Sequence, residues 1–158
     1  MLVKTFGSAF FGINATTITV EVNLGQGINF ILVGLPDNAV KESQKRIVAA
    51  LKNCKYEYPR HEFTVNMAPA DIRKEGSAYD LPIAVGLLVA TGQLPASALE
   101  GMALAGELAL DGTVRPIKGA LSIAMAAAAR GVRFLLVPRE NAREAAVVEG
   151  LTVVGVGG

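Results

Sequence analysis

The chain contains one cysteine, one histidine and no tryptophan, and this scarcity excludes two common ways of building a small domain. Cys54 has no second cysteine with which to form an internal disulfide. A lone cysteine and a lone histidine, His61, cannot supply the ligands of a metal cluster. The sequence therefore predicts neither a disulfide framework nor a metal site.

Long apolar runs and a strong charge of one sign are also missing. Mean hydropathy is +0.41, yet no stretch is long and apolar enough to span a bilayer. Residues 1–7 lack the layout of a signal peptide, so we expect a cytoplasmic protein with no membrane partner. A net charge of +1 is too balanced for a surface devoted wholly to nucleic acid, but it leaves room for a local basic patch.

What the chain does have is enough apolar material for one substantial core. It has 158 residues, of which 51% are hydrophobic and 18% are charged, and this predicts a single domain over residues 1–158. Alternation of apolar and polar residues predicts strands at 3–11, 17–24 and 28–33. With residues 25–27 as a hairpin turn, these strands would form an antiparallel meander.

Helical spacing of apolar residues predicts three longer helices further along the chain. They span residues 37–53 and 80–91, with Asp37 and Asp80 as N-caps, and the alanine-rich residues 120–129. Further strands are predicted at 62–67, 102–110, 134–137 and 152–156, with a hairpin turn at 111–112 and a short helix at 142–148. The pattern predicts an α/β fold in the α+β sense, with helices packed on a mixed sheet.

Each of two charged clusters is either ordinary solvated surface or a binding surface. The basic cluster on the first predicted helix is a solvated helix face or a DNA contact; its members are Lys41, Lys45, Arg46 and Lys52. The second cluster is a solvated turn or a subunit contact within a ring; its members are Asp71, Arg73, Lys74 and Glu75. Glu107 is either an outward-facing residue of its strand or a buried partner of Arg115 across the predicted hairpin, and the hairpin turn favours the second.

Several segments together resemble one family. They are GLPDNAVKES at 34–43; VNMAPAD at 65–71 with RKEG at 73–76 and DLPIA at 80–84; GELALDG at 106–112 with RP at 115–116; and VP at 137–138 with NA at 141–142 and EA at 144–145. In this combination the chain resembles, over nearly its whole length, the N-terminal domain of magnesium-chelatase-like AAA+ proteins of the YifB/ComM type.

The resemblance implies a fold similar to the proteolytic domain of Lon peptidase, within a superfold shared with a small-subunit ribosomal protein. It implies a hexameric parent protein in which an AAA+ module that uses ATP and Mg²⁺ follows this domain. ComM-type members are implicated in natural transformation as motors that drive branch migration of DNA. This chain lacks the G-x-x-x-x-G-K-[ST] phosphate-binding loop, so we expect it to bind no cofactor and hydrolyse no ATP by itself.

The same resemblance locates the position of a peptidase site. In Lon, a serine nucleophile follows an Asp-Gly-Pro segment, and a lysine base lies just past a Gly-x-x-x-Pro-Ile-Gly-Gly segment. The matching segments here are EGSA at 75–78 and GTVRPIKGAL at 112–121, which put Ala78 at the nucleophile position and Leu121 at the base position. Neither side chain can attack or accept a proton, so no catalytic residue is expected. Ala78 and Leu121 should lie close together in the fold.

Two alternatives remain open at this point. A shifted dyad of Ser77 and Lys118 would make the chain a Ser/Lys peptidase of Lon type. Against it, Lys118 falls in a predicted loop where water would keep it protonated, and Asp80 would place negative charge beside any oxyanion. The other alternative is a stand-alone nucleic-acid-binding module, by analogy with the ribosomal protein.

Overall fold

The fold was taken from a computed structural model, which describes residues 2–11 and 14–157. The described residues form nine strands: β1 (Leu2–Phe11), β2 (Asn14–Gly25), β3 (Phe30–Val33), β4 (Glu62–Ala68), β5 (Met102–Leu104), β6 (Glu107–Leu108), β7 (Val114–Arg115), β8 (Phe134–Pro138) and β9 (Thr152–Val156). They also form five α-helices: α1 (Asn38–Lys41), α2 (Ser43–Asn53), α3 (Asp80–Ala90), α4 (Ala120–Ala129) and α5 (Ala142–Ala145). Short 3₁₀ turns lie at Ala96–Leu99 and Arg139–Asn141.

The first sheet has four strands in the order β1-β2-β4-β3. β1 and β2 pair antiparallel as predicted, but the three-strand meander is wrong. β4 lies between β2 and β3, antiparallel to β2 and parallel to β3. Phe63, Val65 and Met67 of β4 are fully buried, whereas β3 alternates half-buried and exposed residues. The more apolar strand therefore takes the central position, and β3 becomes an edge.

The predicted helix over residues 37–53 is two helices, α1 and α2, separated at Glu42. Asp37 is the N-cap of α1 as expected, because its Oδ1 accepts a hydrogen bond of 2.8 Å from the Val40 N–H. At Glu42 the backbone N–H bonds to both Asn38 and Val40 carbonyls, so the chain tightens there and starts again.

α3 is buried on nearly all sides, since it packs against β1 and β2 of the first sheet and also contacts β5 and β6. Gly86 permits this close approach, because a Cβ at that position would lie 2.7 Å from a methyl carbon of Val22. A helix that is apolar all round is expected at such a position.

The predicted strand over residues 102–110 is split between two further sheets. β5 joins the parallel three-stranded sheet β5-β8-β9, and β6 forms a separate antiparallel hairpin with β7. The break falls at Gly106, whose N–H bonds to the Ala78 carbonyl and whose carbonyl accepts from the Leu81 N–H, both at 3.0 Å. The strand is interrupted there because the Gly106 backbone bonds to residues at the start of α3 and just before it, not to a neighbouring strand.

Two apolar clusters fill the interior. The larger surrounds α3 and the first sheet, and the smaller lies between α4 and the parallel sheet. Ala120, Ala124 and Ala127 of α4 are buried, so the alanine face of this helix packs closely on neighbouring elements, β2 among them. None of the helices in the described part of the chain has the length and apolar character needed to cross a membrane.

Candidate functional site

The loop that enters α3 carries the position at which Lon has its nucleophile. Ala78 is half-buried there, and its carbonyl is held by Gly106. The hydroxyl of the preceding residue, Ser77, donates a hydrogen bond to the Glu107 carboxylate. Ser77 is thus paired with a carboxylate and not with the lysine amine that Lon-type chemistry uses.

Glu107 also faces Arg115 across the β6–β7 hairpin, as predicted. The Arg115 Nε lies 3.6 Å from Glu107 Oε2, and the two residues are register partners. The expectation that Glu107 is a buried partner is not met, because its side chain is half-buried at 32% exposure and that of Arg115 is 59% exposed. The hairpin is short and lies at the surface, so water reaches the guanidinium.

Lys118, the lysine of the shifted dyad, lies in an exposed loop that leads into α4. Asn141 holds this loop: its side-chain amide donates to the Ile117 carbonyl at 2.8 Å and accepts from the Ile117 N–H at 2.9 Å. Among the hydrogen bonds and ion pairs of the described residues, none joins Lys118 to Ser77. The geometry gives the shifted dyad no support.

Leu121 begins the first turn of α4, and its backbone N–H donates to Glu144 Oε2 at 3.0 Å. Phe10 connects this end of α4 to the nucleophile loop. Its ring lies 2.6 Å from the place a Cβ of Gly119 would occupy, and it also lines a cleft of about 440 Å³ with Gly76 and Tyr79. The proximity of Ala78 and Leu121 themselves stays a prediction.

Asp80 differs from the prediction in both its position and its partners. It is the first residue of α3, Tyr79 takes the cap position, and the carboxylate makes no capping bond. Instead it accepts from Arg46 Nε at 2.6 Å, from Arg46 Nη2 at 3.0 Å and from the Leu108 N–H at 3.1 Å. Burial raises the pKa of Asp80 although these hydrogen bonds oppose the rise.

Arg46, one of the candidate DNA contacts, thus has an intramolecular partner, and a contact between it and DNA stays a prediction. Its Nη2 also donates to the Ala39 carbonyl at 2.6 Å, and its hydrogen bond with Asp80 raises its pKa above the ordinary value. The other three members of the basic cluster are exposed as predicted: Lys41, Lys45 and Lys52. The basic surface, defined here as these three lysines, runs along α1 and α2.

The negative charge expected beside the nucleophile loop comes from Asp37. While Oδ1 caps α1, Oδ2 accepts from the Gly76 N–H at 3.0 Å. The Asp37 N–H in turn donates to the Lys74 carbonyl at 2.9 Å. The backbone donor just before Ser77 is thus occupied by a carboxylate, which is the opposite of an oxyanion-binding arrangement.

Lys74 is the largest departure within the candidate interface cluster. It is fully buried, its Nζ donates to the Pro69 carbonyl, and burial lowers its pKa. It cannot contact another subunit in this conformation. Asp71, Arg73 and Glu75 are exposed as expected, but Arg73 Nε lies 3.2 Å from Glu75 Oε1, so two of the three charges are paired with each other.

The chain has no phosphate-binding loop, and within the described ranges no group of three or more His, Cys, Asp or Glu side chains could hold a metal ion. Sequence reasoning missed four contacts: Arg46–Asp80, Ser77–Glu107, Asp37–Gly76 and Lys74–Pro69. All but the last join residues 30 or more positions apart, and no local pattern signals such pairs.

Comparisons with known proteins agree with this geometry. The chain is 31% identical over 165 residues to the Lon protease of Lachnoclostridium phytofermentans, which covers 95% of the chain and 20% of that protein. Together with the mixed sheets and packed helices, this confirms the predicted fold class, an α/β domain of Lon type.

The family follows from a second set of matches. The family model described as subunit ChlI of Mg-chelatase matches residues 20–141. The uncharacterised protein YifB of Salmonella typhimurium is 48% identical over 141 residues, and competence protein ComM of Haemophilus influenzae is 44% identical over 148 residues. The chain belongs to this Mg-chelatase-related family. The matches cover 89% and 93% of the chain but 28% and 29% of these two relatives, so it spans under a third of their length.

Proposed function

We propose that this chain is a non-catalytic Lon-like domain that helps a Mg-chelatase-related AAA+ ATPase to assemble and to engage DNA. ATP and Mg²⁺ would bind in the AAA+ module of the longer protein, which would be a hexamer. By analogy with ComM, whose name refers to competence, the longer protein would act as a motor in DNA branch migration during natural transformation.

One observation carries the non-catalytic part: the two dyad positions hold Ala78 and Leu121. The neighbouring groups do not replace them, because the Ser77 hydroxyl is bound to Glu107 and Lys118 is exposed in another loop. Asp37 places a negative charge at the Gly76 N–H. Acyl transfer instead needs free N–H donors near the serine to stabilise the oxyanion. These two contacts and the exposure of Lys118 weigh against the alternative, a Ser/Lys peptidase of Lon type.

The DNA part is supported by the basic surface. Lys41, Lys45 and Lys52 are exposed on consecutive helices, and no ion pair occupies them among the described residues. Seven positions separate Lys45 and Lys52, which places these two on one side of α2 at about 100° per residue, and Lys41 ends α1 just before that helix. Three phosphate contacts would give an affinity of about 10⁻⁵ M near physiological salt, without sequence preference.

A hexamer would strengthen this weak contact through avidity, because each further domain binds the same DNA at a high effective concentration. For the assembly part, Asp71 with the Arg73–Glu75 pair gives the exposed charges that could set the register between subunits. A stand-alone nucleic-acid-binding module is the second candidate, and the same basic surface would serve it.

The test is a titration of fluorescent duplex DNA at 50 and 200 mM salt. We expect weak binding that falls steeply with salt, as counterions are released. Lys45→Glu/Lys52→Glu should abolish it, while Lys118→Glu, an equally exposed lysine on another loop, should leave most of it. Equal affinity for all three proteins would show that this helix face is only solvated surface.

A further inference from the structure

The strand β3 leaves an unprotected edge on the first sheet. It is the terminal strand, pairing only with β4 in the described part of the molecule. Four large apolar side chains along it and its flanks are exposed: Ile28, Ile31, Val33 and Leu35. No charged residue occurs between Glu21 and Asp37. Proteins normally protect such an edge with lysine, proline or a bulge, because it can pair with another chain.

The other edge of the same sheet is different. β1 carries Lys4 among its exposed residues and contacts β5 of the neighbouring sheet. Within this sheet, the absence of a charged residue is thus confined to the β3 edge. An apolar, uncharged edge promotes aggregation unless another segment covers it. The contrast between the two edges therefore points to a binding function for β3.

The backbone of β3 shows which groups are available. Phe63 N–H donates to the Asn29 carbonyl at 2.9 Å, and the ladder between β3 and β4 is parallel. In such a ladder alternate residues bond to the same neighbour, so Ile31 and Val33 bond to β4. Phe30 and Leu32 therefore direct their N–H and C=O groups toward the free edge. These groups give two donors and two acceptors for an added strand.

We propose that the free edge of β3 binds an extended, uncharged peptide segment by strand addition. The backbone of the peptide would bond to Phe30 and Leu32, and its alternate apolar side chains would pack beside Ile31 and Val33 on the outer face. Charged side chains are disfavoured, because the edge has no counter-charge between Glu21 and Asp37.

The size of the edge argues against a second copy of the chain as the occupant. β3 has four residues, whereas a stable interface between two folded proteins needs about 20–30 residues on each side. A peptide needs only the edge itself. The far end is also open, since a cleft of about 320 Å³ lined by Leu35 and Lys41 directly follows β3. The strand edge contains no residue of the proposed DNA contact and does not depend on it; only the cleft beyond the edge shares Lys41 with that basic surface.

The test uses fluorescence anisotropy with a seven-residue labelled peptide of alternating threonine and valine. We expect saturable binding that Ile31→Lys weakens about tenfold, because a lysine charge replaces an exposed apolar side chain beside which the peptide would pack. Leu32→Pro should have a similar effect, because it removes a donor of the free edge and leaves the ladder with β4 intact. Leu2→Lys, an exposed apolar residue on β1, is the matched control and should bind like wild type.

Two N-methylated forms of the peptide make the test specific for strand addition. Methylation of the alternate amides that face β3 should abolish binding, whereas methylation of the other set should not. Equal binding of both forms would overturn the proposal, as would no binding at 1 mM peptide. Sedimentation provides a further check: a dimer that Ile31→Lys abolishes would identify a second copy as the occupant and reject the peptide.

Discussion

Arg46 of α2 and Asp80 of α3 form a two-pronged ion pair in which the carboxylate is completely buried. Nε and Nη2 of Arg46 lie 2.6 and 3.0 Å from the two oxygens of Asp80, and Leu108 N–H donates to the same carboxylate. The pair thus joins three elements of the fold: α2, α3 and the β6–β7 hairpin. Its role is structural, because Nε and Nη2 of Arg46 are both bonded inside the protein, to Asp80 and to the Ala39 carbonyl.

Breaking this pair from one side should be costly. Arg46→Met leaves the Asp80 charge buried with only the Leu108 N–H, so the free energy of unfolding should fall by about 3–5 kcal/mol. Arg46→Met/Asp80→Asn should lose clearly less than the sum of the two single changes, because it leaves no unpaired charge. Urea unfolding measures all three. Lys45→Met, the exposed neighbour, should change stability by about 0.5 kcal/mol or less; additive losses would contradict the coupling.

Lys74 should make stability depend on pH below its ordinary pKa of 10.5. Burial lowers the pKa of Lys74 in the folded state, so between that lowered value and 10.5 the unfolded chain binds more protons than the folded one. Stability must then rise with pH in this window, by at most about 1.4 kcal/mol per pH unit. Urea unfolding from pH 7 to 10 should show wild type gaining on Lys74→Met. A constant difference between the two would mean that Lys74 keeps its ordinary pKa.

Ser77 should be chemically inert. Its hydroxyl is bound to Glu107 and the Gly76 N–H is bound to Asp37, so neither an activated nucleophile nor an oxyanion donor is available. We expect no labelling by a serine-directed fluorophosphonate probe and no cleavage of unfolded substrates. Labelling that both Ser77→Ala and Lys118→Met abolish would instead establish the shifted dyad.

Asn141 should control how tightly the loop before α4 is held. Asn141→Ala removes both hydrogen bonds to Ile117 and should cost about 1–3 kcal/mol. Since Lys118 is the next residue and is exposed, trypsin should cut there faster in the variant than in wild type. Asn53→Ala, which removes one exposed bond to the Leu110 carbonyl, is the control and should leave that cleavage rate unchanged.

Elements with a strong local pattern were predictable from the sequence. α4 and β9 match their predicted bounds, because an alanine-rich helical run and a β-branched strand each carry their signal within a few residues. The place of β4 between β2 and β3 was not predictable, since it depends on which strand buries most apolar surface. Local rules favoured a β2–β3 hairpin at residues 25–27, and tertiary packing overrode them.

The site shows the same division. Ala78 and Leu121 were found by matching segments, and Asp37 was found as an N-cap from its position before a helical run. The second bond of Asp37, to Gly76, depends on a loop 39 residues away. Asp80 shows how a correct local rule can fail, because Arg46 supplies a stronger partner for its carboxylate than the helix N–H groups. Lys74 looked like surface because its neighbours in sequence are charged and exposed.

The loops around Asp37 and Gly76 should open together as one cooperative unit. The Asp37 and Lys74 amides bond across the two loops in both directions, to Lys74 and Leu35 carbonyls, and Gly76 N–H bonds to the Asp37 side chain. The chain packs tightly at Gly34, because a Cβ there would lie 2.2 Å from the Met67 carbonyl oxygen. Exposing one of the three amides to water requires separating both loops. In hydrogen exchange, the protons on Asp37, Lys74 and Gly76 should therefore leave at a common rate, faster than those of α3 and slower than those of the loop tip at Asp71.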